Sequence, residues 1–196
     1  EKLVAAMVSK EFTGCMDLSN QGALSRSAIV FYRGKCIASL YSNNFGKLFQ
    51  EADVALRSAL MDAVLVAPEV VAYELPEEIV LAYCSLFKGE ILDMDTFGSP
   101  RQNLDLLLDI MEIEKHTGAI TLAIEENSDL CIIFIENGLF CGYLIFQERK
   151  LSLSRIELND YLDEKTIVQI NACVLAEDVR NTFVQSGYEI KNYFPK

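Results

Sequence analysis

The sequence predicts an α+β protein built from two similar tandem units, and three observations lead to this prediction. The 196 residues are 51% hydrophobic and 23% charged, a composition typical of globular chains long enough to bury a core. A shift of 104 positions aligns two segments without a gap, with eight identities over 39 positions. In each segment a helical hydrophobic period is followed by β-rich runs. We therefore expect similar units at 1–98 and 101–196, each of small-domain size.

Each unit is predicted to open with a helix. Apolar residues recur at helical spacing over 3–8 and again over 104–111. Ser99-Pro100 is a start signal for the second helix. Thr13-Gly14 and Thr117-Gly118 follow the two helices, and we expect each glycine to act as a C-cap.

An antiparallel β-meander with a tight hairpin is expected after each helix. Arg33-Gly34 and Asn137-Gly138 join the last two strands of each meander, and Asn-Gly between β-rich runs favours a type I′ turn. The polar links 19–27 and 125–129 are interpreted as the other turns. The predicted strands are 15–18, 28–32 and 35–41 in the first unit, and 119–124, 130–135 and 139–146 in the second.

The Asn137-Gly138 turn also predicts a register in which paired residue numbers sum to 275. Cys131 would then face Leu144, and Cys141 would face Phe134. None of the six cysteines forms a C-x-x-C pair, and all have apolar neighbours. We therefore predict six free core thiols and no disulfide, as suits a reducing cytoplasm.

Each unit is expected to finish with helices and a short extra strand. In the first unit these are a helix over 45–66, a β-rich run over 70–75 and a helix from Pro76 to Lys88-Gly89. In the second they are a β-rich run over 167–176 and a helix over 177–186, closed by Gly187. The stretch 150–165 is interpreted as a strand followed by a short helix. The boundary between the units is expected in the turn-rich stretch 93–101.

The charge and the residue inventory restrict the possible functions. The net charge of -12 disfavours nucleic acids and anionic membranes as partners. His116 is the only imidazole, and it aligns with Phe12, so a half-buried packing role is favoured over catalysis or metal binding. The acidic turns at Glu125-Glu126 and at Asp93 and Asp95 lack further ligands and are interpreted as solvated. No catalytic or phosphate-binding motif occurs. We predict no catalytic, cofactor-binding or metal-binding residues and no enzyme activity.

The apolar pattern of the sequence also indicates where the protein is located in the cell. The first residues lack a basic start followed by a long apolar stretch, so a signal peptide is not predicted. The strongly apolar stretch at 130–135 is far too short to span a bilayer. A cytoplasmic chain is therefore expected.

The two copies share a loose motif. It consists of Thr-Gly, two strands, an aromatic residue shortly before a glycine, and apolar residues that end at a small one. It runs from Thr13-Gly14 through Phe31 and Gly34 to Ala38, and from Thr117-Gly118 through Phe134 and Gly138 to Gly142. This pattern resembles the PATAN (PatA amino-terminal-like) modules of bacterial signalling proteins. The resemblance implies a regulatory or protein-interaction module without catalytic residues, and it transfers no known site.

We therefore expect a non-enzymatic bacterial signalling or scaffold module that contacts another protein, with a link to two-component regulation implied by the resemblance. The partner's identity and the formation of homo-oligomers are left open. Two alternatives are a small-molecule-binding or enzymatic α+β domain with a site between the units, and a roadblock-like regulator of small GTPases. A five-stranded sheet sandwiched by helices would distinguish the roadblock-like alternative.

Overall fold

A computed structural model describes residues 7, 9–22, 24–43, 52–93, 98–125, 129–146, 148–177, 181 and 187. Over these residues the chain is a mixed α+β protein with four helices and two antiparallel sheets, which confirms the predicted fold class. It divides into two compact units. Unit 1 comprises Glu1–Val80 with Glu177–Lys196, and unit 2 comprises Leu81–Ala176. The predicted units 1–98 and 101–196 follow chain order, and their superposition as tandem copies stays a prediction.

In its described part, unit 1 contains a four-stranded sheet with one helix packed on it. The elements are β1 (Gly14–Asn20), β2 (Ser25–Tyr32), β3 (Lys35–Asn43), α1 (Ala52–Leu65) and β4 (Glu69–Glu74), followed by the start of α2 (Glu77–Lys88). The strand order is β3-β2-β1-β4, so the hairpin neighbours lie side by side and the last strand adds beyond the first. The buried side of α1 packs with Met16, Ile29 and Phe31 of the sheet.

The described residues of unit 2 form a six-stranded sheet and further helices. The elements are β5 (Glu90–Ile91), α3 (Pro100–Ile113), β6 (Gly118–Ile124), β7 (Asp129–Glu136), β8 (Leu139–Ile145), β9 (Lys150–Ser152), α4 (Arg155–Asp163) and β10 (Ile167–Val174). The strand order is β5-β10-β6-β7-β8-β9. Helix α3 begins at a capping box, in which Ser99 Oγ accepts from the Gln102 N–H and Gln102 Oε1 accepts from the Ser99 N–H. Leu104, Leu107 and Met111 of this helix enter the core.

The same local geometry recurs at the two hairpins, 104 positions apart. The Arg33 N–H donates to Thr13 Oγ1 over 3.0 Å, and the Asn137 N–H donates to Thr117 Oγ1 over 3.0 Å. The first turn residues have φ of 48° and 52°, and the following glycines have φ of 77° and 80°. Positive φ at both central positions is the signature of the predicted type I′ turn, which is confirmed at both sites.

The prediction of C-cap glycines is wrong. Gly14 and Gly118 are the first residues of strands, and the left-handed position after α3 is Lys115, with φ of 54°. The glycines are required for a different reason. A Cβ at Gly14 would lie 2.0 Å from the Tyr73 carbonyl oxygen, and a Cβ at Gly118 would lie 2.2 Å from that of Cys173. Only glycine allows the neighbouring strand to approach this closely.

The predicted hairpin register is wrong by one residue over most of its length. Cys131 faces Ile145, and Phe134 faces Gly142. A register shift directly after Phe134 leaves Cys141 without an opposite residue, as in a β-bulge. A bulge cannot be deduced from the turn, because the turn sets the register only for the pairs next to it.

All six cysteines are free thiols in the structure. Four of them are buried as predicted, whereas Cys141 and Cys173 are only partly buried, which corrects the prediction of six core thiols. Burial raises the pKa of the Cys131 thiol to about 12. This thiol is therefore protonated at neutral pH and acts as a small core hydrophobe.

Most other predicted elements are confirmed with shifted ends. The helix predicted over 45–66 spans Ala52–Leu65, and 45–51 lie outside the described residues. The link predicted over 19–27 is shorter than expected, because β1 and β2 extend to Asn20 and back to Ser25. The predicted strand and short helix over 150–165 are β9 and α4. The helices predicted over 3–8 and 177–186 lie almost wholly outside the described residues.

Candidate interaction surface

Helix α1 is apolar on its outer side as well as on its inner side. Its inner residues Ala55, Leu56, Ala59 and Leu60 are buried. On the outer side Leu65 is 76% exposed. We define the α1 patch as the exposed apolar residues of this helix and the residue after it: Val54, Met61, Val64, Leu65 and Val66.

The α1 patch forms a stripe along the helix. Val54, Met61 and Leu65 are spaced at i, i+7 and i+11, so they share one face, and Val64 lies beside them. At 1.5 Å of rise per residue, the stripe from Val54 to Leu65 is about 16 Å long. A group of exposed apolar residues on one side of a helix is typical of a contact site for another molecule.

A network of hydrogen bonds joins the C-terminal half of α1 to the sheet. Asp62 Oδ2 accepts from Ser25 Oγ over 2.6 Å and from Tyr41 Oη over 2.7 Å. Both donors are buried, whereas Asp62 is half-buried. Burial, with a further contribution from this hydrogen bond, raises the pKa of Tyr41 above its usual value of 10.0. The network fixes the rotation of α1 and therefore the direction in which the α1 patch faces.

The end of α1 is held by a second part of the same network. Asn20 Nδ2 donates to the carbonyl oxygen of Asp62 over 3.1 Å and to that of Val66 over 3.0 Å. The last carbonyl groups of a helix have no partner within the helix, and here the buried Asn20 amide supplies one. The patch therefore lies on a helix end that is fixed by the sheet.

The surroundings of the α1 patch are acidic. The segment 52–74 contains four acidic residues and a single basic one, Arg57. Arg57 Nε lies 3.2 Å from Asp53 Oδ2, one turn away on the same helix, so its charge is compensated locally. Glu69 and Glu74 are exposed on the following strand, β4. The segment that carries the α1 patch therefore has a net negative charge.

Helix α4 of unit 2 has a different outer surface. Its buried residues are Leu158 and Leu162, as expected for an amphipathic helix. Ile156 is 74% exposed, but its exposed neighbours on α4 are polar or charged, as at Glu157 and Asp160. An isolated exposed apolar residue needs no explanation. Ile156 therefore provides a matched control for the α1 patch.

A second polar cluster joins the first hairpin to the start of α2. Arg33 Nε and Nη2 donate to the two carboxylate oxygens of Glu77, each over 2.9 Å, and Tyr32 Oη donates to Glu77 Oε2 over 2.8 Å. The hydrogen bonds from Arg33 and Tyr32 lower the pKa of Glu77. Both charged side chains are largely exposed. This bidentate ion pair therefore connects the first hairpin to the start of α2 at the protein surface.

The structure places His116 at the junction of α3 and β6. Its side chain is half-buried, and Nε2 lies 2.7 Å from Glu114 Oε2. Its backbone repeats that of the aligned residue Phe12: each N–H donates to a methionine carbonyl five positions earlier, and each carbonyl accepts from the hairpin glycine. The half-buried packing role stays the favoured interpretation of His116.

The acidic turns considered in the sequence are only partly described. Glu125 and Asp93 are exposed, whereas Glu126 and Asp95 lie outside the described residues. Within the described ranges, no group of three or more histidine, cysteine and acidic residues is arranged to hold a metal ion.

The α1 patch was not predicted from the sequence. Its apolar residues lie within the helix predicted over 45–66, but their exposure was not expected. The available signal was the composition: apolar residues occur on every side of 54–66. A helix that is apolar all round is either fully buried or carries an exposed contact surface, and the sequence alone does not distinguish these cases.

No family model matches the chain, and searches of curated proteins and of solved structures found no match. Among the described residues, no helix has both the length and the apolar character needed to cross a membrane.

Proposed function

We propose that this chain is a non-enzymatic bacterial signalling or scaffold module that acts by contact with another protein, and that the α1 patch is its contact surface. The exposure of Met61 and Leu65 on a helix that is already packed on its inner side carries this proposal. The assignment to bacterial signalling, with its link to two-component regulation, rests on the resemblance to PATAN modules.

The fixed position of α1 favours specific binding of a partner over non-specific association through the exposed apolar residues. Because Ser25 and Tyr41 bind Asp62, the helix is already ordered before a partner arrives. A preorganised surface binds more tightly, because less conformational entropy is lost on association.

The charge and shape of the patch indicate the chemistry of the partner. The net charge of -12 and the acidic composition of 52–74 favour a partner with Lys and Arg beside its apolar residues. A stripe about 16 Å long matches three turns of a helix, which present apolar residues at i, i+3 or i+4 and i+7. We therefore propose a basic amphipathic helix of another protein as the occupant.

Synthetic peptides test this proposal with the full chain. A fluorescein-labelled amphipathic helix of Leu and Lys is titrated by anisotropy, beside a peptide in which Glu replaces every Lys. We expect binding of the basic peptide with a Kd of about 1–100 μM, weakened by salt, and no measurable binding of the acidic one.

Two surface variants test whether the basic peptide binds at the α1 patch. Leu65→Glu should weaken binding of the basic peptide at least about tenfold, because it places an unpaired charge against apolar side chains. Ile156→Glu makes the same chemical change at an exposed residue outside the patch and should leave the Kd unchanged. Equal effects of the two variants, or equal binding of the two peptides, would contradict the assignment of the α1 patch.

A ligand screen tests the non-enzymatic part of the proposal. The melting temperature is measured with nucleotides, cyclic nucleotides and divalent metal ions. We expect no saturable stabilisation. A single compound that raises the melting temperature by several degrees at micromolar concentration would favour a small-molecule-binding or enzymatic domain instead, because a specific ligand stabilises the folded state by mass action.

A further inference from the structure

We propose that Arg57 selects and aligns the partner of the α1 patch, by binding a single carboxylate that lies within the otherwise apolar stripe of the partner helix. This inference rests on the proposed function, because it concerns the same surface. It adds the chemistry that a partner helix needs in order to bind at one position along α1.

Arg57 lies on the same face of α1 as the apolar residues of the α1 patch. The residues of this face follow one another at spacings of three, four and three positions: Val54, Arg57, Met61 and Val64. These are the spacings of the a and d positions where two helices pack together, and Leu65 lies beside them. The guanidinium therefore interrupts the apolar stripe from within.

The side chain of Arg57 is accessible to a partner. It is 65% exposed, and the apolar residues one turn before and after it, Val54 and Met61, are exposed as well. A helix that covers the α1 patch must therefore cover this cation too. Removal of a charge from water is costly unless an opposite charge and hydrogen bonds replace the water.

Asp53 orients Arg57 from the side of the stripe. Arg57 Nε lies 3.2 Å from Asp53 Oδ2, and the Asp53 side chain is 39% exposed. Asp53 directly precedes Val54, so it flanks the stripe as a g residue flanks an a residue. A guanidinium has five N–H donors in a planar fork and can bind two carboxylates at once. A carboxylate of the partner can therefore bind Arg57 beside Asp53.

A carboxylate opposite Arg57 fixes the register of the two helices. An apolar stripe alone allows a partner helix to shift along α1, because apolar side chains pack against one another in several alignments. One ion pair inside such a stripe forms in a single alignment, and every other alignment sets Arg57 against apolar side chains. Arg57 thus acts as a specificity-determining residue.

These features describe the partner helix more closely. Its polar face carries Lys and Arg, which complement the acidic composition of 52–74. Its apolar face carries one Glu or Asp, with apolar residues three or four positions before and after it. A Gln at the same position has nearly the same shape but no charge, and it leaves the covered guanidinium of Arg57 without a carboxylate from the partner.

Anisotropy titrations of a peptide series with the full chain test this selection. Each Leu in the stripe of the Leu and Lys peptide is replaced in turn by Glu and by Gln. We expect one position at which the Glu peptide binds at least about fivefold more tightly than the Gln peptide, and no such preference at the other positions. The same exchange on the polar face of the peptide is the control, and there Glu should bind no better than Gln.

Variants of the chain assign the preference to Arg57. Arg57→Met should abolish it, because the side chain keeps an apolar stem and loses its charge. Arg26→Met removes the same charge from an exposed position on β2 and should leave the preference unchanged. Arg57→Glu should reverse it, so that a peptide with Lys at the selected position binds more tightly than the Glu peptide.

The outcomes separate this inference from the proposed function. Equal binding of the Glu and Gln peptides at every stripe position, or a preference that survives Arg57→Met, would overturn the role of Arg57, whereas binding of the Leu and Lys peptide itself would still support the α1 patch. If no peptide of the series binds, the proposed function fails together with this inference.

Discussion

Removal of the Asp62 carboxylate should release α1 from the sheet of unit 1. Asp62→Ala deletes the shared acceptor of two hydrogen bonds, from the buried Ser25 Oγ at 2.6 Å and from the buried Tyr41 Oη at 2.7 Å. Hydrogen bonds to a charged group contribute about 1.5–3 kcal/mol each. Because Asp62 is half-exposed and both bonds share one oxygen, we expect a total loss of about 2–4 kcal/mol in the free energy of unfolding.

Urea denaturation at neutral pH measures this loss as a lower midpoint with an unchanged slope. Asp53→Ala on the same helix is the matched control, because the ion pair of Asp53 with Arg57 is largely exposed and its loss should cost less than about 0.5 kcal/mol. If Asp62→Ala costs no more than Asp53→Ala, the network does not hold α1 in place and the reasoning is refuted.

Three further experiments, two substitutions and one thiol labelling, have outcomes that follow from the structure. Gly118→Ala should lower the free energy of unfolding by about 3 kcal/mol or more, because its Cβ would overlap the Cys173 carbonyl, and a loss below about 0.5 kcal/mol in urea melts would contradict the close strand approach. Iodoacetamide at pH 8 should label the partly exposed Cys141 and leave the buried Cys131 unmodified, as read by mass spectrometry, and rapid labelling of Cys131 would contradict its burial. The raised pKa of Tyr41 means that its hydroxyl stabilises the fold fully below pH 10.0 and that this stability is lost as the pH rises through the folded-state pKa. Tyr41→Phe should therefore unfold more easily at pH 8 yet lose less stability between pH 9 and 11, and parallel pH curves for the two proteins would exclude this linkage.

The hairpins and amphipathic helices could be predicted because their signals are local. Asn137-Gly138 fixes two positive φ values by itself, and Ser99-Pro100 with Gln102 fixes the start of α3. These interactions span only a few residues, so the sequence contains both partners within a short window.

The errors arise where the deciding partner is distant in the sequence. Gly14 and Gly118 follow a helix, as a C-cap glycine would, but the groups that require glycine there are the carbonyls of Tyr73 and Cys173, more than 50 positions away. The bulge after Phe134 likewise depends on how the strand pairs over its whole length.

The α1 patch and the position of Gly187 depend on tertiary structure in the same way. The helical period of the apolar residues predicts the buried side of α1. It does not show whether the apolar residues on the opposite side, such as Leu65, are covered by other parts of the protein. Chain order assigns 177–196 to the second copy, whereas the contacts of Gly187 lie on β3 of unit 1. Only the folded chain contains this information.

The central claim is that the α1 patch is the surface through which this protein binds a basic amphipathic helix. The most direct measurement is a methyl NMR titration of the full chain with the Leu and Lys peptide. We expect saturable shifts of the Met61, Val64 and Leu65 methyl resonances and no shift of the Ile156 methyl resonances. Binding that moves Ile156 and leaves the α1 patch unchanged, or no binding at millimolar peptide, would contradict it.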